Sequence, residues 1–262
     1  MTIALPDIES LVDPVGRIAR RASKAILEYY KTDLSIDRKD DYSPITEADR
    51  AADGIIVPAL EALTPDIPVV SEERVESNQL AAVQAAGCFW LVDPLDGTRE
   101  FINKRDEFTV NIGLIQGDQP IFGVLSVPVQ DTIYSAAGLG KASRQIGDGP
   151  VEPIAARVAP ADGSVVAISR SHANSDNLDA FLEGEVVSKR IIAGSALKFS
   201  LIAEGRADLY PRLGQTMEWD TAAGQAIVEA AGGVVHTLDG QPFRYGKPYF
   251  RNKGFVARGL PG

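Results

Sequence analysis

The sequence predicts a layered fold of the α/β type (α+β), with helices covering mixed sheets in two fused subdomains. Three observations predict it. Apolar residues recur at helical spacing through the N-terminal segment, strands alternate around a tight turn in the middle, and strands then alternate with helices to the end.

The elements follow in chain order. Ile8, Leu11, Val12, Val15, Ile18, Ala19, Ala22 and Ile26 share one helical face, which predicts an amphipathic helix from Pro6 to Lys31. A second helix is expected from Thr46 to Leu63, opened by Thr46 with Asp49 three residues on, so that Glu47 and Asp49 occupy its first turn. Strands are expected at Pro68 to Ser71 and from Cys88 to Val92. Phe108 to Gln116 and Pro120 to Pro128 flank the Gly117-Asp118 turn, and Thr132 to Ala137 extends them into an antiparallel meander covered on one face by the two helices. Gly147-Asp148-Gly149-Pro150 is the clearest break, giving an N-terminal subdomain of residues 1–150 and a C-terminal one of 151–262. Past it, strands at Val165 to Ser169, Arg190 to Ala193 and Ala207 to Tyr210 alternate with helices at Ser175 to Leu182, Ser195 to Glu204 and Asp220 to Ala231. No internal repeat or long linker interrupts the pattern.

With 262 residues, 45% of them hydrophobic, the chain can build a substantial core. No apolar run is long enough to span a bilayer, and Met1 to Ser10 lacks the basic and apolar blocks of a secretory leader. The single cysteine, Cys88, has no intrachain partner and sits among apolar neighbours, which fits a core thiol in a reducing compartment. These features lead to the expectation of a cytoplasmic protein, with peripheral contact at the inner membrane face as an alternative, acting as a monomer or a homodimer. A net charge of −10 argues against a nucleic-acid surface. It would also repel a phosphorylated ligand, so such a ligand would need cations supplied locally. His172 and His236 lie far apart in sequence and are a poor basis for a zinc site.

One segment meets that need. Trp90-Leu91-Val92-Asp93-Pro94-Leu95-Asp96-Gly97-Thr98 sets two carboxylates and a glycine directly after an apolar run. Pro94 has no N–H to give a central ladder, so the chain is expected to turn where Asp93 and Asp96 stand. Two carboxylates three residues apart repel each other unless a proton or cation lies between them, and Mg²⁺ favours oxygen ligands with room left for phosphate. Gly97 lets backbone approach a phosphate closely, and Thr98 adds a hydroxyl that can orient water.

This string resembles the central signature of the inositol monophosphatase superfamily of Mg²⁺-dependent, Li⁺-sensitive phosphatases. Ser43-Pro44-Ile45-Thr46-Glu47-Ala48-Asp49, Ser71-Glu72-Glu73 and Glu218-Trp219-Asp220-Thr221-Ala222-Ala223-Gly224 resemble its other motifs, in order, and the similarity runs from the first helix to about Arg258. The resemblance implies an αβαβα sandwich and two or three Mg²⁺ ions. It implies that Glu72, Asp93 and the Leu95 carbonyl hold the first ion, with Asp93 bridging to a second completed by Asp96 and Asp220. It further implies that Asp49 and Thr98 form a water-orienting pair, with Glu72 counted among the catalytic groups. Asp220 also stands where a helix N-cap is expected, and the two roles are compatible.

Within the superfamily the best resemblance is to the 3′(2′),5′-bisphosphate nucleotidase subgroup. It is carried by Asp96-Gly97-Thr98-Arg99-Glu100-Phe101-Ile102, Gly194-Ser195-Ala196-Leu197-Lys198-Phe199 and Ala207-Asp208-Leu209-Tyr210-Pro211-Arg212. Ala196 departs from the pattern, where the subgroup has a second serine. The implied substrate is adenosine 3′,5′-bisphosphate, contacted by Gly97, Thr98, Ser195, Lys198, Arg212 and Asp220, with Ser169-Arg170-Ser171-His172 lining the nucleoside side. Physically, a second phosphate requires cationic partners away from the metals, and Lys198 and Arg212 would supply them. The alternatives are an inositol or sugar phosphatase of the same mechanism and, more distantly, a sensor of phosphorylated metabolites without turnover.

Overall fold

The computed structural model describes residues 6–31, 36–38, 44–75, 79–170 and 176–261, with backbone alone at 36–38 and 44–46. The Thr46 side chain, Ser43, Ser171 and His172 therefore lie outside the described residues. Helix α1 spans Val12–Tyr30, α2 Glu47–Leu63, α3 Gln79–Ala86, α4 Thr98–Ile102, α5 Asp176–Phe181, α6 Leu197–Ala203 and α7 Ala222–Ala230. The first helix starts later than its periodicity implies, because Glu9–Leu11 forms a 3₁₀ turn. Pro14 is tolerated just inside it, where a missing N–H leaves no helical bond unmade.

Strand β1 (Ile36–Arg38) pairs with β2 (Pro44–Thr46) as a short ribbon. A seven-stranded sheet then runs in sequence order through β3 (Val69–Ser71), β4 (Cys88–Asp96), β5 (Thr109–Gln116), β6 (Gln119–Val127), β7 (Thr132–Ala137), β8 (Ala142–Ile146) and β9 (Val151–Pro153). Only the β3–β4 pair is parallel; the rest form the expected antiparallel meander, longer by two strands than the sequence revealed. The Gly147-Asp148-Gly149-Pro150 break is the turn between β8 and β9, so the chain leaves this sheet after Pro153.

The remaining strands are β10 (Ser164–Ile168), β11 (Val187–Ile192), β12 (Leu209–Arg212), β13 (Thr216–Met217), β14 (Val234–Thr237), β15 (Arg251–Asn252) and β16 (Phe255–Arg258). Five of them form a second sheet in the order β11-β10-β12-β16-β14, while β13 pairs with β15. The sequence reading missed β1, β2, α3, β8, β9 and the last four strands, all of them short.

The layers follow from which face each residue takes. In β4, Cys88, Trp90 and Val92 join the core under α1 and α2, whereas Phe89 and Leu91 join the core shared with α6 and α7. Both faces are buried, which is why the strand reads as an unbroken apolar run. The Trp90 indole N–H finds a buried partner in Thr64 Oγ1 at 2.9 Å. On the outer face of the second sheet, Val166, Ile168, Leu209 and Val256 pack against Leu178 and Leu182. The order is α1/α2, first sheet, α6/α7, second sheet, α5, the expected αβαβα sandwich.

Helix α7 sits on the first sheet where side chains are missing. Gly113 and Gly123 are cross-strand neighbours in β5 and β6. A Cβ at Gly113 would stand 2.7 Å from the Ala222 Cβ, and one at Gly123 2.6 Å from the Ala223 carbonyl oxygen. On its other side, a Cβ at Gly224 would collide with the Phe199 ring of α6. Small residues on both sides thus set how deeply the start of α7 enters the molecule.

Candidate active site

Strand β4 does not stop at Pro94 as its missing N–H led us to expect. The ladder with β5 pairs Asp93 with Asn111 and Asp96 with Thr109, so β4 carries one extra residue between them. That bulge accommodates proline without breaking the strand, and the turn comes at Gly97, at φ 93°. The period of two places Asp93 on the face of Phe89 and Leu91, which α7 covers, and Asp220 stands just before the N-cap of α7, Thr221. Strand β3 lies alongside, with Ser71 opposite Val92, so Glu72 leaves the sheet edge beside Asp93.

Glu72, Asp93 and Asp220 each bring one carboxylate oxygen within 4.8 Å of the other two. A cavity of about 260 Å³ is lined by all three and by Leu95, Asp96, Gly97 and Thr98. Burial, followed by the negative charges of Glu72, Asp96, Asp220 and Asp49, holds the Asp93 carboxyl well above the usual carboxylate range. Burial and the charges of Asp96 and Glu72 do the same to Asp220. An all-oxygen donor set whose members resist ionising together fits a hard divalent cation, since a cation removes both penalties at once.

Side-chain contacts hold the cluster in place. Asp93 accepts the Leu95 N–H at 3.0 Å, inside the bulge. Asp220 accepts the Met217 N–H at 2.7 Å and does not cap α7, whose N-cap is Thr221 without a side-chain cap bond. The capping role expected of Asp220 is thus corrected: its carboxylate turns back toward β13 and the cluster. Thr98 Oγ1 lies 3.3 Å from both Asp49 Oδ1 and the Leu95 carbonyl, a shared donation that joins the expected pair and occupies one lone pair of that carbonyl. Asp49 is buried behind Thr98 on α2.

A second cavity, of about 180 Å³, shares Asp96, Gly97 and Asp220 with the first and is lined by Ser169, Arg170, Ser195, Lys198 and Arg212. Lys198 is not on a solvated helix face: it is 2% exposed, donates to the Ala193 and Ser195 carbonyls and lies 5.0 Å from the Tyr210 ring centroid. Burial pushes its ammonium down to about 8, against the opposing pull of Asp96. Asp96 is driven up to about 6 by burial, moderated by Lys198 and by the hydrogen bond from the Ala196 N–H. Arg212 Nη1 donates to Ser169 Oγ at 2.9 Å. Ser195 adopts φ 45°, the left-handed region, in the turn leading to α6.

Among the described residues, the metal and substrate candidates singled out from the sequence thus lie in one of two adjoining cavities or directly behind it, whereas Ser171 and His172 lie outside the described residues. Three more belong to the surroundings. Asn111 Nδ2 approaches Asp96 Oδ2 at 3.4 Å, Glu107 accepts from the Gly194 N–H and from Arg170, and Asp53 lies one turn along α2 from Asp49. A lone asparagine in an apolar strand and a second aspartate at helical spacing were the signals available for Asn111 and Asp53.

No helix among the described residues is long and apolar enough to cross a membrane. The chain is similar to the 3′(2′),5′-bisphosphate nucleotidase CysQ of Escherichia coli strain K12, at 45% identity over 248 residues covering 94% of this chain and 98% of that protein. The CysQ of Buchnera aphidicola, which carries the same activity in its name, is 43% identical over 255 residues, 95% of this chain and 94% of its own. Among solved structures, CysQ from Bacteroides thetaiotaomicron, described as a bacterial member of the inositol monophosphatase family, superposes with a TM-score of 0.83 at 36% identity, covering 97% of this chain and 98% of that one. A family model for the inositol monophosphatase family matches residues 7–258, and with relatives this similar along nearly its full length the chain belongs to that family.

Proposed function

We propose that the protein is a metal-dependent 3′(2′),5′-bisphosphate nucleotidase that hydrolyses the 3′-phosphate of adenosine 3′,5′-bisphosphate, giving AMP and phosphate. The observation that carries this is the pairing of an acidic cavity with a cationic one through shared Asp96, Gly97 and Asp220. One suits the cations that attend a scissile phosphate, the other suits a second phosphate. The E. coli and Buchnera relatives, both named for this activity, support the same assignment.

Glu72, Asp93, the Leu95 carbonyl, Asp96 and Asp220 would hold two or three Mg²⁺ ions, which when bound neutralise phosphoryl charge and acidify the attacking water. The chain's own groups do the rest. Thr98 shares its hydroxyl hydrogen bond between Asp49 Oδ1 and the Leu95 carbonyl, which leaves its oxygen lone pairs to accept from water and aim it at phosphorus. Gly97, without a side chain between Ser195 and the Glu107 carbonyl, lets the backbone close on the phosphate. Water adds to phosphorus and gives up a proton as the P–O3′ bond breaks, and the ribose oxygen leaves with a proton that water supplies, so that one water is consumed per AMP and phosphate formed. Lys198 and Arg212 bind the 5′-phosphate by charge-assisted hydrogen bonds, worth about 1.5–3 kcal/mol each.

Steady-state kinetics with Mg²⁺ on adenosine 3′,5′-bisphosphate and on inositol 1-phosphate test the assignment. A preference of at least about tenfold in kcat/KM for the nucleotide is expected from one such contact. Preference for the inositol ester would reject the nucleotide, and no phosphate release from any ester would indicate a sensor.

A further inference from the structure

Glu72 has little sheet to fix it, because β3 ends at Ser71 and Glu72 opens a single 3₁₀ turn, Glu72–Arg74. What secures that turn comes from α2. The Asp53 side chain is 6% exposed, and its two oxygens are divided between the flanks of Glu72: one accepts from Ser71 Oγ, the other from Arg74 Nε. Ser71 Oγ in turn accepts the Glu73 N–H at 3.4 Å. Asp53 lies four residues after Asp49, so both carboxylates leave the same face of α2. One reaches the Thr98 hydroxyl after β4, the other the backbone turn after β3.

We propose that Asp53 is a positioning residue for the cation site, clamping the Ser71–Arg74 turn so that the Glu72 carboxylate stays within reach of Asp93 and Asp220. The proposal rests on the assignment of Glu72 as a metal ligand. Asp53 touches neither cation nor substrate; it fixes the stretch of backbone from which Glu72 projects. Groups that orient a ligand typically carry a 10–100-fold share of metal affinity. A salt bridge that served stability alone would leave affinity for the ion unchanged when lost.

Calorimetric titration of Mn²⁺ and Mg²⁺ into the substrate-free protein separates these outcomes. For Asp53→Asn we expect the metal Kd to rise by about 10–100-fold, the Mg²⁺ concentration for half-maximal activity to rise in parallel, and kcat at saturating Mg²⁺ to return close to the wild-type value. Circular dichroism in the same buffer establishes that the variant is folded. Should it not fold, Arg74→Gln removes the other side of the contact at a half-exposed position and should raise Kd in the same direction by a smaller factor. Unchanged metal affinity in a folded Asp53→Asn, or in Arg74→Gln where that variant replaces it, overturns the proposal while leaving the metal assignment intact. Failure of the wild-type protein to bind either ion, with Asp93→Asn indistinguishable from it, overturns both.

Discussion

Asp93 concentrates the conflict in this site: a fully buried carboxylate facing the charges of Glu72, Asp96, Asp220 and Asp49. Replacing it by asparagine removes one repelling charge at nearly constant shape. Asp93→Asn should therefore abolish phosphate release yet leave the thermal midpoint in chelator unchanged or higher, as differential scanning calorimetry would show. Lys198 carries the opposite problem, a cation without solvent. Its proton is lost as pH rises through about 8, where an unfolded lysine would keep it to about 10.5, so on the proposed assignment its attraction for a second phosphate is full well below pH 8 and is lost as pH rises through that value. The expected result is a KM for the bisphosphate that climbs above pH 8, with no matching rise for a monophosphate ester. Lys198→Met should raise the bisphosphate KM by about tenfold or more at pH 7, and should remove that pH dependence. Asp93, Asp96 and Asp220 were legible in the sequence because they belong to short strings whose order is distinctive. The burial of Lys198 was not, since a lysine on a short helix is ordinarily solvated, and only the fold shows that α6 is wrapped on all sides.

Among the elements, α7 has the most exacting seat. Its first turn rests on Gly113 and Gly123, and any side chain there would have to push the helix outward. Gly123→Val should lower stability by about 1–3 kcal/mol in urea unfolding and weaken metal binding by displacing Asp220. The sequence announced α7 as a helix and β5 and β6 as strands, yet nothing in either said that they would meet backbone to backbone. Strand β4 teaches a related lesson. Pro94 forbids an ordinary ladder, and the inference that the strand must end there followed sound local chemistry; a register shift of one residue against β5 provided the other solution. Strand β8 escaped notice because Ala-Ser-Arg-Gln-Ile does not alternate clearly, and its pairing with β7 is decided by tertiary contact.

At the scale of the molecule, periodicity revealed two helices on a meander followed by a mixed α/β half, and the family resemblance implied the full layer order, but neither revealed that its parts share one core. Val70, Phe89, Leu91, Ile115 and Leu125 of the first sheet lie in the same apolar cluster as Phe199, Ile227, Phe255 and Ala257. Such continuity predicts that calorimetry will find one cooperative unfolding transition, with van't Hoff and calorimetric enthalpies in agreement; two resolved transitions would contradict it. The seating of α7 has a further consequence for how the protein is made. Glu72, Asp93 and Asp96 leave the ribosome well before Asp220 and the helix that carries it. A chain that stops short of Asp220 consequently holds an unfinished set of carboxylates, and on the proposed assignment it is expected to release no phosphate.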